Sequence, residues 1–185
     1  MTYKHRSPTV KTVGTRHWHQ HQGHMFTAHI DNAVTNIGEM TVIAFNTPAA
    51  GDIHLWVTGT TTHTADLYLY ENTSIDVDEG TDLAPMNRLR TVTVPTSTLT
   101  SIKTTPVANQ VSYYLEAAAN TANITTTTEL GHAPMIGGAG PKALGATTDE
   151  QFGYILALSQ QYAIMIVAGT NDDATHHLVA LWIEE

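Results

Sequence analysis

The chain has 185 residues and no cysteine. This absence excludes disulfides, a thiolate metal site and a cysteine nucleophile, and with them the small secreted domains that disulfides hold together. Charge is also sparse, because Asp, Glu, Lys and Arg together make up 14% of the residues. No apolar run approaches the ~20 residues of a membrane helix. The first residues, MTYKHRSPTVKTVG, lack the apolar segment of a signal peptide. We therefore expect a chain that is synthesised and folded in a cytoplasm and has no membrane partner.

Basic residues are few and lie mostly at one end. The first 30 residues contain Lys4, Arg6, Lys11 and Arg16 and no acid, so they carry +4, and the remainder carries 17 acids against 4 bases, or −13. This acidic body does not suit nucleic acid, which requires clustered Lys and Arg. The four N-terminal bases are candidate docking residues for an acidic protein surface, such as that of a neighbouring copy. A solvated basic tail is the alternative.

Three histidines alternate in His17-Trp18-His19-Gln20-His21. In a strand these histidines would project from one face, which makes them candidate ligands for a transition metal. The alternative, a polar strand with ordinary histidine hydrogen bonds, is favoured because no Asp or Glu lies nearby to orient the ligands. The spacing is similar to the His-x-His of cupin enzymes, but Gly23 stands where the cupin Glu is required. We therefore expect no metal or other cofactor.

Other catalytic motifs are missing from the sequence. The glycine-rich residues 131–145, GHAPMIGGAGPKALG, match neither phosphate-binding pattern and are predicted to form a surface loop. No G-x-S-x-G nucleophile motif occurs. We expect a protein that is not an enzyme, and a small metal-dependent enzyme that uses the histidine cluster is the rival hypothesis.

Strand patterns cover most of the chain. In residues 66–71, DLYLYE, Leu and Tyr alternate, so both faces are apolar, which favours a strand covered on both sides by a second sheet or by a subunit. Residues 25–30 form a shorter candidate that ends at the turn pair Asp31-Asn32. Further strands are predicted to begin near Glu39, Ile53, Ala65, Val111, Phe152, Tyr162 and His177. The sequence therefore predicts an all-β protein, with an antiparallel, jelly-roll-like β-sandwich over residues 23–185 and an extended N-terminal arm over residues 1–22.

Two groups of residues match a pattern seen in other proteins. The first is Leu69-Tyr70-Glu71 followed by Gly80-Thr81-Asp82-Leu83-Ala84-Pro85-Met86-Asn87-Arg88-Leu89-Arg90, and the second is Tyr162-Ala163-Ile164-Met165-Ile166, Asn171 and Leu181-Trp182-Ile183-Glu184. They resemble the strings "(L)YE…GT.L.P.NRNR" and "Y.L…N…W.E" of a family of tailed-phage virion proteins, the head decoration or cement proteins. Leu89 departs from this pattern, which has Asn at that position.

The resemblance implies a β-rich structural protein that sits as a homotrimer on the outside of a capsid shell. Its partners would then be the major capsid protein and its own copies, and its location the virion. The two-sided apolar strands also favour an oligomer, since they exceed what one small sandwich must bury. The alternative is a tail-fibre or receptor-binding module in which tyrosines stack on sugar rings, with the candidates Tyr68, Tyr70, Tyr113 and Tyr114.

Overall fold

Two β-sheets make up most of the described structure. The computed structural model describes residues 15–75, 81–89, 96–104, 124–125, 128–136, 144–147, 153–170 and 173–185. Sheet A contains β1 (Met25–Val34), β3 (Ile53–Thr61), β7 (Met86–Asn87), β11 (Leu144–Thr147), β12 (Tyr154–Leu156) and β14 (Ala174–Glu184). Sheet B contains β2 (Met40–Asn46), β4 (Ala65–Glu71), β6 (Thr81–Asp82), β8 (Thr100–Thr104), β10 (Thr128–Met135) and β13 (Gln161–Ala168). A separate ribbon pairs β5 (Ser74–Ile75) with β9 (Ile124–Thr125), and the single helix within these ranges is α1 (Thr15–Gln22).

The strand order of each sheet brings distant parts of the chain together. Sheet A runs β11-β3-β14-β1-β7, with β12 also paired to β3, and sheet B runs β10-β4-β13-β2-β8-β6. Every strand pair in the described ranges is antiparallel. The first strand pairs with the last, from Met25 opposite Ile183 to Val34 opposite Ala174. The first four strands alternate between the sheets, so the chain crosses the sandwich at each connection.

The facing sides of the two sheets form one hydrophobic core. In β3, every second residue from Ile53 to Thr61 is buried, as the two-residue period of a strand requires. At Gly59 the sheets approach closely, since a Cβ there would lie 3.2 Å from the Ile166 side chain and 3.3 Å from that of Leu67. This core includes Phe26, Leu55, Leu178 and Trp182 from sheet A, and Ile43, Phe45, Tyr162, Ile164 and Ile166 from sheet B.

A second buried cluster lies on the opposite side of sheet B. It consists of Met40, Val42, Ala44, Ala163 and Met165. The six residues from Met40 to Phe45 are consequently all buried, whichever way they point. In β4, Leu67 and Leu69 enter the shared core while Tyr70 packs against this second cluster. The Leu67 and Leu69 side of β4 is covered as predicted, but Tyr68 and Tyr70 on the other side are only partly buried, so cover on both sides stays a prediction.

The predicted antiparallel all-β sandwich is confirmed, and helix is almost absent from the described residues. Strands begin at Ile53 and Ala65 as predicted, and β2, β13 and β14 begin within three residues of the predicted Glu39, Tyr162 and His177. Val111 and Phe152 lie outside the described residues.

Two local predictions are wrong. The Asp31-Asn32 pair does not end a strand, because β14 pairs with β1 through both residues and as far as Val34. The glycine-rich stretch is not all loop, because Gly131 to Met135 belong to β10 and β11 begins at Leu144. Gly131 follows a bulge in the β10–β4 pairing and lies against the Tyr154 hydroxyl, which would have to move to admit a Cβ. In both places pairing with a distant strand outweighs the local turn preference.

Candidate functional site

The histidine-rich segment is a helix. The strand predicted for His17 to His21 is therefore wrong, because these residues lie within α1 (Thr15–Gln22). The helix ends at Gly23, whose φ is 78°. Gly23 N–H donates to the Gln20 carbonyl and His24 N–H to the His19 carbonyl, at 3.2 and 3.0 Å, which is the Schellman arrangement. Gly23 is thus the residue that stops the helix.

The side chain of His19 links helix α1 to Glu185, the residue that follows β14 of sheet A. This side chain is buried, and its Nε2 lies 2.8 Å from Glu185 Oε1. Glu185 in turn exchanges two backbone hydrogen bonds with Asp52, at 3.1 and 3.0 Å. The Nδ1 atom of His19 is buried without a hydrogen-bond partner. The adjacent Trp18 packs edge-on against His19 and is 49% exposed.

The predicted ligand and docking residues are only partly within the described structure. His21 is exposed, and the side chain of His17 lies outside the described part. No three His, Asp or Glu side chains of the described residues are grouped so that they could hold a metal ion. The ligand set His17, His19 and His21 stays a prediction. Arg16 lies in α1, and the other docking candidates, Lys4, Arg6 and Lys11, fall outside the described residues, so their role also stays a prediction.

The string that contains Pro85 to Leu89 holds the junction between α1 and β1. Asn87 is buried, and its side-chain amide donates to the Gly23 carbonyl at 2.7 Å while its Oδ1 accepts from Leu89 N–H at 2.8 Å. Arg88 N–H donates to the Met25 carbonyl at 2.8 Å. Leu89 takes part through its backbone, which explains why a residue other than Asn fits at this position.

Two carboxylates of the matched strings also make structural hydrogen bonds. Glu184 accepts from Trp182 Nε1 at 2.8 Å and from Thr98 N–H at 2.9 Å, which joins sheet A to the segment that leads into β8. Glu71 accepts from the Tyr162 hydroxyl at 2.5 Å, and that hydroxyl accepts from Ala157 N–H. Burial and the hydrogen bond to Glu71 raise the pKa of Tyr162 well above its usual 10. These roles, which the sequence pattern did not reveal, are structural.

His176 is a buried histidine that the sequence pattern missed. It is fully buried, its Nδ1 lies 3.1 Å from Thr41 Oγ1 of sheet B, and its Nε2 is buried without a hydrogen-bond partner. Burial lowers the pKa of His176 from 6.5 to about 4, although the Glu39 carboxylate acts in the opposite direction. The alternation of Ala174, Leu178 and Ala180 is the signal that places this position on the inward side.

The tyrosines considered for sugar stacking contact side chains of their own sheet. Tyr68 stacks on His132 with ring centres 4.5 Å apart and on Tyr70 at 5.6 Å. His132 Nε2 lies 2.8 Å from Asp66 Oδ1. Burial, together with the nearby Asp66, Tyr70 and Glu129, raises the pKa of Tyr68. Tyr68 therefore packs against one ring of β10 and one ring of its own strand, which is the commoner role of such aromatic pairs. Tyr113 and Tyr114 lie outside the described residues.

The side of sheet A that faces away from the core is a broad, weakly charged surface. We call it the outer face of sheet A, and define it by the residues that alternate with the core positions of three fully described strands. These are Met25, Thr27, His29, Asp31 and Ala33 of β1, His54, Trp56, Thr58 and Thr60 of β3, and Thr175, His177, Val179, Leu181 and Ile183 of β14. Trp56 stands opposite Leu181, and Thr58 opposite Val179.

No described helix is long and apolar enough to cross a membrane. Comparison with protein-family models, with curated proteins and with solved structures finds no match to this chain.

Proposed function

We propose that this chain is a head decoration protein of a tailed-phage virion, which binds the outside of the shell formed by the major capsid protein and stabilises it as a homotrimer. The observation that carries the proposal is the pair of matched strings, because three of their residues make side-chain hydrogen bonds between distant segments of the chain. Glu71, Asn87 and Glu184 join segments far apart in the chain. The resemblance therefore covers residues that have structural contacts in this chain.

The winding of the strands supports the same proposal. Sheet A has the neighbours β1-β14-β3-β11 and sheet B the neighbours β2-β13-β4-β10, which is the connectivity expected of a jelly roll. Jelly rolls occur in viral capsid proteins and in lectins. Since a fold of this kind serves several functions, the winding supports a virion role only in combination with the matched strings.

Each single contact of a trimer on a shell can be weak. Cyclic symmetry repeats one contact several times, and linked contacts raise the effective concentration of each. We predict that the purified protein is a trimer at micromolar concentration, as measured by light scattering coupled to size exclusion. A monomer at that concentration would contradict the trimer.

The N-terminal segment is predicted to be a docking element, because it carries +4 against −13 in the rest of the chain. Deletion of the residues before Arg16 should leave the sandwich folded, since their sequence lacks core-forming periodicity, and should weaken binding to shells. The binding of the full chain should also weaken as salt rises, since exposed charges are screened beyond about 8–10 Å. A truncated protein that binds as tightly as the full chain at every salt concentration would reduce the segment to a passive tail.

Binding to phage heads is the direct test of the proposal. Purified protein is mixed with filled heads of the phage that encodes it, stripped of their own copies, and the mixture is sedimented. We expect saturation at a fixed number of copies per shell and a higher melting temperature of the heads. An acidic β-sandwich of similar size serves as the control. No binding to heads, with binding to glycans on an array, would instead support the receptor-binding module.

A further inference from the structure

We propose that His29 and His177, on the outer face of sheet A, form a two-imidazole binding site for a divalent transition metal ion such as Zn²⁺. In this site Asp31 does not ligate the ion but orients the His177 ring. The site is distinct from the histidine set of residues 17–21 that the sequence pattern singled out. It also goes beyond the proposed function and does not depend on it.

The register of β1 against β14 brings the two histidines together. His29 stands opposite Val179 and His177 opposite Asp31, so the two histidines are diagonal neighbours on the same side of the sheet. Diagonal neighbours of an antiparallel pair are within reach of each other when their side chains are aromatic or long. The two ring centres are 6.4 Å apart. In the doublet His176-His177 the first ring is buried in the core, so only the second belongs to this site.

Asp31 determines which nitrogen of His177 is free to bind a metal. The Oδ1 atom of Asp31 pairs with Nδ1 of His177. Because an ionised carboxylate only accepts hydrogen bonds, Nδ1 carries a proton, and the lone pair of the neutral ring is then on Nε2. Metal-binding histidines commonly donate their other ring N–H to a carboxylate in this way, which fixes the tautomer and the orientation of the ring. The pair of Asp31 and His177 therefore has the arrangement of a metal ligand with its orienting partner.

Both rings are accessible to an ion from solvent. His29 is exposed, and the side chain of His177 is 41% exposed. Zinc lies about 2.0–2.1 Å from a histidine nitrogen, so the two rings must rotate toward each other to share one ion. Exposed side chains rotate about their bonds within nanoseconds. The backbone beneath them is fixed, because β1 and β14 are paired along the whole length of β1.

The chemistry of the two ligands selects the class of ion. Imidazole nitrogen suits Zn²⁺, Ni²⁺ and Cu²⁺, whereas Mg²⁺ and Ca²⁺ prefer oxygen ligands. The strands β1, β3 and β14, which are described along their whole length, contain no Lys or Arg that would repel a cation. The described residues offer two ligands and not a set of three. The other two positions of a tetrahedral ion are therefore open to water.

Calorimetric titration of the full chain with Zn²⁺ tests the site. The reference protein carries His17→Gln and His21→Gln, so that these histidines do not compete for the ion. We expect the reference protein to bind Zn²⁺ and not Mg²⁺. Adding His29→Gln or His177→Gln should lower the Zn²⁺ affinity about tenfold or more, because the loss of a ligand costs at least as much as the loss of an orienting partner. The matched control is His54→Gln, at a partly exposed histidine of the same face, which should bind Zn²⁺ as the reference protein does.

Two further variants test the orienting role of Asp31. Asp31→Ala should lower the Zn²⁺ affinity about 10–100-fold, as the removal of such a partner does in other metal sites. Asp31→Asn keeps an oxygen that accepts from Nδ1–H of His177, so it should bind Zn²⁺ more tightly than Asp31→Ala. Equal affinities of the two variants would refute the orienting role.

Three results would overturn the site itself. The first is a reference protein that does not bind Zn²⁺, and the second is Zn²⁺ binding that His29→Gln and His177→Gln leave unchanged. The third is equal weakening by His54→Gln, which would assign the ion to scattered surface histidines. Melting curves without Zn²⁺ check the fold of each variant. If a Gln variant does not fold, His29→Thr or His177→Thr replaces it, because Thr favours strands.

Discussion

Protonation of His176 should destabilise the sandwich between pH 6.5 and pH 4. The folded protein holds this histidine neutral because the ring is fully buried, which lowers its pKa from 6.5 to about 4. In the unfolded chain the ring binds a proton near pH 6.5. Below that pH the unfolded state therefore binds more protons than the folded state, so stability is complete above pH 6.5 and falls as the pH falls.

The size of the effect follows from the two pKa values. At about 1.4 kcal/mol for each pKa unit, the difference between 6.5 and about 4 is worth about 3 kcal/mol once the pH is below 4. At pH 4.5 the loss is about 2.5 kcal/mol. The Glu39 carboxylate favours the protonated form of His176 and so reduces this loss. It can do so at low pH because hydrogen bonds from Asn36 and Thr35 outweigh the burial of Glu39 and lower the pKa of Glu39 itself.

Urea unfolding at pH 7.5 and pH 4.5 measures the loss of stability in the wild type and in His176→Leu. All measurements use one protein concentration, because the stability of an oligomer depends on the protein concentration. The drop in the free energy of unfolding should be smaller by about 2.5 kcal/mol in the variant. The control is Thr41→Val, which removes the bond to Nδ1 and keeps the titratable ring, so its drop should resemble the wild type's. Equal drops in wild type and His176→Leu would refute the reasoning.

Two further substitutions test contacts that hold the fold. Asn87→Ala should lower the free energy of unfolding by about 1–3 kcal/mol, because it leaves the buried Gly23 carbonyl without its donor; Arg88→Ala, at an exposed neighbour, should change it by less than about 0.5 kcal/mol. Gly153→Ala should cost about 1–3 kcal/mol by overpacking, because the new Cβ would lie 2.7 Å from Trp56 Cε2 and 3.0 Å from the Leu55 carbonyl oxygen. Gly131→Ala should cost less, since it meets only the movable Tyr154 side chain. Urea unfolding measures all four, and an unaltered Asn87→Ala or Gly153→Ala would contradict the corresponding contact.

The matched strings have a physical reason to contain these residue types. Position 87 requires a side chain that both donates and accepts hydrogen bonds, since Asn87 donates to the Gly23 carbonyl and accepts from Leu89 N–H. Positions 71 and 184 require a hydrogen-bond acceptor on a side chain long enough to reach a neighbouring segment, and Glu71 and Glu184 provide one. The strings therefore contain residues that link distant segments of the sandwich.

The local sequence was sufficient to predict the strands in which the alternation of residue types matches the alternation of buried and partly exposed positions. In β3 and β4 the period of two is a property of the extended backbone, so the pattern in residues 53–61 and 65–71 reveals both the strand and its inward residues. The absence of long helical patterns and the frequent turn residues likewise indicate an antiparallel sandwich. The charge division between the first 30 residues and the rest is also a property of the sequence alone.

Pairing between distant strands determined the secondary structure of residues whose local sequence preference predicts a turn or a loop. Asp31 and Asn32 stay in a strand because β14 supplies partners for their backbone groups, and Gly131 lies in a strand because it pairs with Leu69 of β4. Which histidine is buried depends on which residues of β2 stand across the core from β14, and this places Thr41 beside His176. The outer face of sheet A arises in the same way. Trp56 and Leu181 become neighbours only through the register of β3 against β14, and register is a long-range property that a local sequence pattern does not contain.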